Sequence, residues 1–494
     1  MKTITMRHIL GNKVLQYDVD DRGVIVDERE YDRTVNPKSN IADWVKEHMV
    51  FWYDMSKPVD VYTQNFNDWQ NYNPNSVSIT NNKIVVNGLI DNFRIASIGK
   101  ETESFSVFIE GLGDKNLIYR VKLDENSDQI TNIKLKDGEN VLPHSFATTV
   151  AFMGVSGVTD YIGLTITQLP SGQSVPTNEI LKANPYLQDF SGNNRPLKLN
   201  NFLFAAMSGV GGYDISSTNI LPDRANVTVT DNRIIHITKK LSTTDSMVNI
   251  VPANSNPTHK FKITGLSDGR QVSLVNRNGG FYTFDNGEHE VTLTYPEGTT
   301  SLYNAIGVTG DIGDMDVTIE FLPKYPNALV TDGADDYGVV ENFKSLQNYM
   351  MFFQCAIIRP NAVNGMFSTT SIENNTKGWM LLQGNSANEV RFGNNVYKNF
   401  NVMSSIGDKI SYVLSANNEL MTCYVDEEKA TLAGTYKQTG ANMLLFLSDS
   451  IRKIRFGSMA FYKSILFDSV PTKQNDGFTE QDLIDYVLEN LITK

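Results

Sequence analysis

Three aspartates in one short segment have the residue type and spacing that best suit metal chemistry. Asp332, Asp335 and Asp336 lie within residues 329–340, LVTDGADDYGVV. Hard cations such as Ca²⁺ prefer oxygen ligands, so the segment is a candidate metal site with calcium as its cofactor. In the alternative, Asp-Gly makes a tight turn between two strands and the carboxylates bond nearby backbone amides. The turn is favoured, because no complete calcium ligand set with fixed spacing is visible.

Aromatic residues near asparagine-rich stretches could stack against sugar rings. The candidates for this glycan contact are Trp69, Tyr72, Trp379 and Tyr397. Packing in a hydrophobic core is the commoner fate of such rings. The sequence does not distinguish the two fates, because it does not say which aromatic side chains face solvent.

The sequence contains no recognisable catalytic centre, and we assign no catalytic residue and no organic cofactor. The six histidines are scattered without zinc-ligand spacing, and no nucleophile elbow, P-loop or Rossmann glycine pattern occurs. The acidic run Asp426-Glu427-Glu428 has the wrong spacing for the paired carboxylates of a glycosidase and follows a predicted strand. We therefore expect a protein that is not an enzyme.

Composition limits the partners that the chain can have. The 494 residues are enough for about three or four domains, and the formal charge of −13 argues against a nucleic-acid partner. No run of 18 apolar residues and no signal-peptide pattern occurs, so we expect synthesis in the cytoplasm and no membrane insertion. Cys355 and Cys423 each lie in an apolar run, which predicts two buried free thiols.

Short alternating runs with turn residues between them predict an all-β architecture with an internal duplication. Residues 77–84, VSITNNKI, parallel residues 227–234, VTVTDNRI. The blocks end alike, with ITQLP at 166–170 and IEFLP at 319–323. Parallels kept in order at a nearly constant offset indicate a duplicated β-sandwich. At the C-terminus, residues 478–492 predict an amphipathic helix with Thr479 as its N-cap.

Three segments resemble the signatures of LamG-like, concanavalin-type lectin sandwiches. They are VFWYDM at 50–55, LQDFSGNN at 187–194 and DGADDY at 332–337, in the order the family has them. The chain departs from the family where the usual His pair before LMTCYVD is missing. The resemblance implies one jelly-roll sandwich, interrupted twice, with the two β-repeats inserted between its parts. Exposed loop tips tolerate such insertions.

The predicted domains follow from these assignments. They are an N-terminal β arm or attachment segment at 1–45, a discontinuous LamG-like sandwich at 46–56, 184–214 and 326–470, a first inserted β-sandwich at 57–183, a second at 215–325, and the C-terminal helix at 471–494. The arm has two interpretations with equal weight, an edge extension of the next domain or an attachment and oligomerisation device.

Taken whole, the chain beyond about residue 45 resembles structural proteins of tailed phages and prophages of Bacteroides-like gut bacteria, crAss-like phages included. The segments 50–54, 184–213 and 325–343 carry the likeness. The resemblance implies a virion component such as a head or tail fibre, a decoration protein or a baseplate-associated protein. Its implied partners are other virion proteins, further copies of the chain in a homo-oligomer such as a trimer, and host surface glycans.

Two other classes of function stay open. A bacterial carbohydrate-binding or adhesion protein would bind a glycan array without any virion association, but it needs an export route that the sequence does not display. A polysaccharide depolymerase needs paired acids that we cannot assign. Release of reducing sugar from capsule, abolished by one Asp or Glu substitution, would identify that third class.

Overall fold

The structure is a computed structural model of the 494-residue chain. It describes residues 4–10, 13–19, 25–32, 37–80, 82–146, 149–213, 215–220, 226–230, 233–240, 247–252, 258–276, 280–293, 304–341, 343, 346, 348–359, 364–369, 380–383, 389–393, 397–401, 406–417, 420–425, 428–433, 443–447 and 456–493. By contact density the chain forms two compact units, 1–55 with 187–494, and 56–186.

Short strands make up most of the first part of the chain. The N-terminal part contains β1 (Ile4–Leu10), β2 (Lys13–Val19), β3 (Ile25–Asp32), α1 (Pro37–His48) and β4 (Met49–Asp54). The unit 56–186 contains β5 (Val59–Val61), a 3₁₀ turn (Phe66–Asp68), β6 (Gln70–Asn71), β7 (Val77–Ile79), β8 (Lys83–Val86), β9 (Arg94–Ile98), β10 (Phe105–Glu110), β11 (Leu117–Val121), β12 (Thr131–Leu135), β13 (Gly138–Leu142), β14 (Val150–Met153), β15 (Thr165–Gln168), β16 (Gly172–Ser174) and α2 (Asn178–Ala183).

The rest of the chain is again mostly strands. It contains β17 (Tyr186–Leu187), β18 (Leu197–Asn200), β19 (Gly209–Val210), β20 (Ile215–Ile220), β21 (Val227–Thr230), β22 (Ile234–Lys240), β23 (Met247–Pro252), β24 (Thr258–Thr264), β25 (Gln271–Asn276), β26 (Gly280–Phe284), β27 (Gly287–Thr292), β28 (Asn304–Thr309) and β29 (Gly313–Phe321). It ends with β30 (Leu329–Val330), β31 (Tyr337–Glu341), β32 (Tyr349–Arg359), β33 (Asn364–Ser368), β34 (Met380–Gln383), β35 (Glu389–Gly393), β36 (Tyr397–Asn401), β37 (Lys409–Ala416), β38 (Leu420–Val425), β39 (Glu428–Ala433), β40 (Met443–Phe446), β41 (Ser458–Phe467), α3 (Lys473–Asp476), α4 (Glu480–Val487) and a π-helical turn (Leu488–Ile492).

Two eight-stranded sheets form the main sandwich. One has the order β17-β18-β31-β40-β33-β34-β35-β36. The other has the order β19-β30-β41-β32-β37-β38-β39, and β4 also pairs with β41. The first sheet therefore combines strands from between and after the two inserted blocks, and the second also includes β4 from before them. The predicted fold class, an all-β discontinuous sandwich with inserted β-sandwiches and a C-terminal helix, is confirmed.

Strands β4 and β30 share one edge of β41, although 274 residues separate Asp54 from Leu329 in the sequence. Asp54 is opposite Lys463, and Leu329 is opposite Phe461. The Met55 amide continues the pairing by donating to the Tyr462 carbonyl at 3.0 Å. The chain thus leaves this edge at Met55 and returns to the same edge at Leu329.

Aromatic rings from both sheets fill the space between them. The ring centroid of Phe446 in β40 lies 5.7 Å from that of Tyr53 and 6.0 Å from that of Phe461. Tyr53 and Phe461 belong to the facing sheet. On the opposite face of that facing sheet, α1 and α4 cover Phe352 and Phe467. Strands β32 and β41 are consequently buried on both faces over nearly their whole length. This explains their largely apolar sequences, which lack the regular alternation of a half-exposed strand.

The two inserted blocks have the same topology, strand for strand. The first has sheets β13-β10-β15-β8-β7 and β12-β11-β14-β9-β6. The second has β27-β24-β29-β22-β21 and β26-β25-β28-β23-β20. Each block has its own hydrophobic core between its two sheets. The duplication expected from the sequence parallels is confirmed.

The ends of the chain add one sheet and the helices α1, α3 and α4. Strands β1, β2 and β3 form a separate three-stranded antiparallel sheet. Helix α1 extends across the boundary predicted at residue 45. Its residues Ile41, Trp44 and Val45 are buried against the sandwich. Helix α4 begins after Thr479, which forms a capping box with Asp482, as the sequence predicted. None of the helices that the structure describes has the length and hydrophobicity to span a lipid bilayer.

Candidate functional site

The segment 331–336 forms a turn between β30 and β31. Gly333 has φ +79°, a conformation that glycine adopts without strain. The Asp332 carboxylate accepts a hydrogen bond from the Ala334 amide at 2.7 Å, which is the geometry of an Asx turn. The Thr331 hydroxyl donates to the Gly457 carbonyl and accepts from the Met459 amide at 3.1 Å. The turn is therefore fastened to the start of β41.

Asp336 is the buried member of the aspartate group, with 0% of its surface exposed. Its Oδ1 accepts from the Ser208 hydroxyl at 2.9 Å, and its Oδ2 accepts from the Asp332 amide at 3.0 Å. Burial raises the pKa of the Asp336 carboxyl to about 7, whereas the bonds from Asp332 and Ser208 act to lower it. Both carboxylate oxygens are thus engaged by protein donors.

The structure brings the three predicted metal ligands together. One potential ligand atom from each of Asp332, Asp335 and Asp336 lies within 4.8 Å of the others. Asp335 is exposed, and its backbone carbonyl accepts from the Asn201 side chain at 3.1 Å. A calcium ion would have to compete with the donors that already hold Asp336 and Asp332. The three carboxylates are therefore better suited to shaping the turn than to binding calcium.

Trp69 is not available for glycan stacking, and this candidate is corrected. Its side chain is only 4% exposed and belongs to the core of the first inserted block. The ring stacks on Phe152 at 5.2 Å and meets Phe66 edge-on at 5.4 Å. The asparagine-rich surroundings that made it a candidate do not decide the direction in which the side chain points.

Tyr72 is half-buried and already has ring and hydroxyl partners. Its hydroxyl donates to the Gln70 side chain at 2.9 Å and accepts from Ser97 and Arg94, each at 3.2 Å. The hydrogen bond from Ser97 lowers the pKa of this phenol, and the hydrogen bond from Arg94 lowers it further. The Arg94 guanidinium lies 5.0 Å from the ring centroid. Arg94 therefore covers one face of the ring.

The remaining two stacking candidates, Trp379 and the side chain of Tyr397, lie outside the described residues. Sequence reasoning missed a polar cleft that includes Tyr62, Gln64 and Asn65. These residues occur in the run VYTQNFNDWQNYN at 61–73, the same asparagine-rich stretch that drew attention to Trp69. The stretch was a usable signal for this cleft, but the tryptophan that it singled out lies in a hydrophobic core.

The fold and the geometry of the turn define a class of protein. The chain is an all-β protein built on a two-sheet sandwich, and the turn at 331–336, which we call the aspartate turn, joins parts of that sandwich that are distant in sequence. No protein-family model and no curated protein matches the chain.

Solved structures resemble parts of it. A Ruminococcus gnavus sialidase carbohydrate-binding module, CBM40, bound to α2,3-sialyllactose, is 15% identical, with coverage of 26% of this chain and 80% of the module and a TM-score of 0.23. The Caenorhabditis elegans galectin LEC-6 is 7% identical, with coverage of 28% and 94% and a TM-score of 0.20. A Bacillus licheniformis β-glucanase is 12% identical, with coverage of 27% and 70% and a TM-score of 0.21. Because these TM-scores are low, the fold is assigned from the sheet order of this chain alone.

Proposed function

We propose that the chain is a non-enzymatic structural protein of a phage virion, as a head or tail fibre, a decoration protein or a baseplate-associated protein. In this role the lectin-like sandwich serves assembly and adhesion to host glycans. The partners are other virion proteins and further copies of the chain, in a homo-oligomer such as a trimer. The chain is made in the host cytoplasm and is located in the virion.

The observation that carries this proposal is the way the segments with phage-protein likeness interlock. The Asp189 carboxylate of the second segment accepts from the Trp52 amide of the first at 2.9 Å. The Tyr53 hydroxyl donates to the Arg195 carbonyl at 2.6 Å. The third segment contributes β31, which pairs with β18 along residues 337–339. The likeness therefore falls on residues that hold one domain together, which supports kinship in fold with those structural proteins.

An exposed apolar surface on the first inserted block supports a role in assembly. The loops 87–93 and 154–164 are joined by hydrogen bonds from Ile90 to Thr159 and from Gly154 to Phe93. Five of their apolar side chains are exposed, namely Leu89, Phe93, Val155, Val158 and Ile162. A group of exposed apolar side chains of this kind is typical of a protein interaction site. We call this group the tip patch, and we assign it to contact between copies of the chain.

Particle composition and oligomeric state test the proposal. Mass spectrometry of purified phage particles is expected to detect the chain, and light scattering after gel filtration is expected to give a homo-oligomer. Leu89→Lys with Ile162→Lys should reduce the mass of the oligomer towards that of a monomer. Val141→Lys, an exposed strand position in the same block, is the matched control. A monomeric wild-type chain that is absent from particles would refute the proposal.

The bacterial adhesion protein remains the second candidate. The polar cleft of the first inserted block is the observation that favours it. Binding to a glycan array by a chain that never enters a particle would identify this class instead.

A further inference from the structure

A cleft of about 480 Å³ opens in the unit 56–186, between the segment that follows β5 and helix α2. One wall is formed by residues 60–65, and the other by residues 179–184. Asp68 and Lys100 complete the lining. The volume lies within the range of small-molecule sites, which is roughly 300–1,000 Å³.

The wall 60–65 is held in place by side-chain amides. The Asn65 amide donates to the Ala183 carbonyl at 2.7 Å, and its oxygen accepts from the Asn67 amide at 3.0 Å. In the amide orientation that satisfies both of its polar atoms, the buried Gln168 side chain donates to the Gln64 carbonyl at 2.7 Å and accepts from the Gln64 amide at 2.9 Å. The bond from Asn65 to Ala183 joins the two walls without a ligand. A preformed cleft loses little conformational freedom when it binds.

Tyr62 supplies an aromatic ring to the lining. The ring is half-buried, and its hydroxyl bonds with Asn82. Burial raises the pKa of this phenol, and the negative charge of Asp60 raises it further. The hydroxyl therefore stays protonated at neutral pH. A ring held in this way offers an apolar face beside a polar rim, which is the combination that the pyranose ring of a sugar requires.

The charges of the cleft nearly cancel. Its lining carries three carboxylates and two ammonium groups, contributed by Asp60, Asp68, Glu179, Lys100 and Lys182. Asp68 and Lys100 pair with each other at 3.2 Å, and Asp60 accepts from Gln173 at 3.0 Å. Such a balance offers no net attraction to a phosphate or another polyanion. It suits hydroxyl groups, because each hydroxyl donates to a carboxylate and accepts from an ammonium or amide group.

The second inserted block has a different cleft where its own chain enters and leaves. That cleft has a volume of about 330 Å³, and its lining includes Phe321, Pro323 and Pro326. Within the described part of this block, no helix corresponds to α2. The polar cleft therefore arose from the segments that flank the first block and not from the strands that the two blocks share.

We propose that the cleft between residues 60–65 and α2 binds a neutral oligosaccharide. Tyr62 stacks on one sugar ring, Asp60 and Glu179 accept hydrogen bonds from its hydroxyls, and Lys182 donates to them. The proposal rests on the proposed function in glycan adhesion, and it adds a glycan site on the first inserted block to the adhesion assigned to the sandwich.

Saturation-transfer NMR on the full-length chain tests this assignment. The probes are the neutral trisaccharides maltotriose, cellotriose and chitotriose, with 3′-sialyllactose as the charged comparison. At least one neutral probe should receive saturation, and the charged probe should receive less. Tyr62→Ala should weaken the affinity about tenfold, which corresponds to about 1.4 kcal/mol for the lost ring stacking. Tyr62→Phe should retain most of the affinity, and Phe108→Ala, at an exposed aromatic position of the same block, is the matched control outside the cleft.

Three results would overturn the assignment: no transfer to any neutral probe, stronger transfer to 3′-sialyllactose, or unchanged affinity in Tyr62→Ala. A thermal unfolding scan of each variant separates loss of the ring from loss of the fold. Incorporation of the Tyr62→Ala chain into particles is measured in parallel. Failure of the cleft with normal incorporation refutes this inference alone, whereas binding by a chain that never enters particles refutes the virion proposal alone.

Discussion

The hydroxyl of Ser208 donates to the buried carboxylate of Asp336 at 2.9 Å, across 128 residues of sequence. Ser208 immediately precedes β19, which lies between the two inserted blocks, and Asp336 immediately precedes β31, which follows the second block. Asp336 also accepts from the Asp332 amide, so one carboxylate holds the turn and joins it to an earlier part of the chain. The aspartate turn is thus a structural joint of the sandwich.

Replacement of Asp336 by Asn should flatten the pH dependence of stability. The pKa of Asp336 is about 7 in the folded chain against an ordinary value of 3.8. The folded chain therefore keeps a proton that the unfolded chain releases, and the free energy of unfolding falls as the pH rises between these two values. Asparagine cannot ionise. Calorimetric unfolding from pH 4 to pH 8 should give a shallower decline in Asp336→Asn than in the wild type, and equal declines would contradict the account.

The ion pair between Asp54 and Lys463 should be among the more sensitive contacts of the sandwich. Its atoms are 3.2 Å apart, and the side chains are 2% and 6% exposed. Lys463→Met leaves the Asp54 charge buried without this partner, which costs about 3–5 kcal/mol. Denaturant unfolding should show this loss, and adding Asp54→Asn should recover part of it.

The exposed pair of Lys198 and Glu341, 3.3 Å apart, provides the control for this comparison. Lys198→Met should change the free energy of unfolding by less than about 1 kcal/mol, because solvent screens exposed pairs. Similar losses of unfolding free energy in Lys463→Met and Lys198→Met would show that burial does not make the loss of the Asp54 partner more costly.

Gly333→Ala should destabilise the chain more than Gly407→Ala. Both glycines have positive φ, +79° and +90°, so each substitution has a conformational cost of about 1–2 kcal/mol. A Cβ at Gly333 would lie 2.9 Å from Ser458 Cβ, whereas one at Gly407 would meet nothing within 4 Å. Overpacking adds about 1–3 kcal/mol at the first position only. Denaturant unfolding measures both losses, and equal losses would contradict the packing of the turn on Ser458.

Calcium should have little influence on the aspartate turn. An ion that bound only the folded chain would raise its stability in proportion to the logarithm of its concentration. Because protein donors already occupy both oxygens of Asp336, we expect the unfolding temperature to be the same in EDTA and in millimolar CaCl₂. A rise of several degrees with calcium, abolished in Asp335→Asn, would establish a metal site instead.

The sequence predicted the parts of the fold that have a periodic or repeated signal. Short alternating runs predicted an all-β chain, and strand β24 has the alternating burial that such a run requires. The duplication was detectable because turn residues kept their spacing in both blocks. The sharing of β41 by β4 and β30 leaves no local pattern, because it depends on which distant strands pair.

The site was less predictable than the fold. The three aspartates were found from their spacing, but the burial of Asp336 beside Ser208 depends on a residue 128 positions away. Trp69 and Tyr62 lie seven residues apart in one asparagine-rich stretch, yet the tryptophan fills a core and the tyrosine lines a cleft. The direction in which each side chain points decides whether it fills a core or lines a cleft. Tertiary packing fixes that direction.

Immunogold labelling of phage particles with an antibody to the full-length chain would show whether the chain is a virion component. Gold is expected at one fixed and repeated position, on the head, the tail or the baseplate. Labelling should persist on particles that carry the Tyr62→Ala chain, because the cleft serves glycan contact and not assembly. Particles without gold, in cultures where the same antibody detects the chain in solution, would contradict a role in the virion.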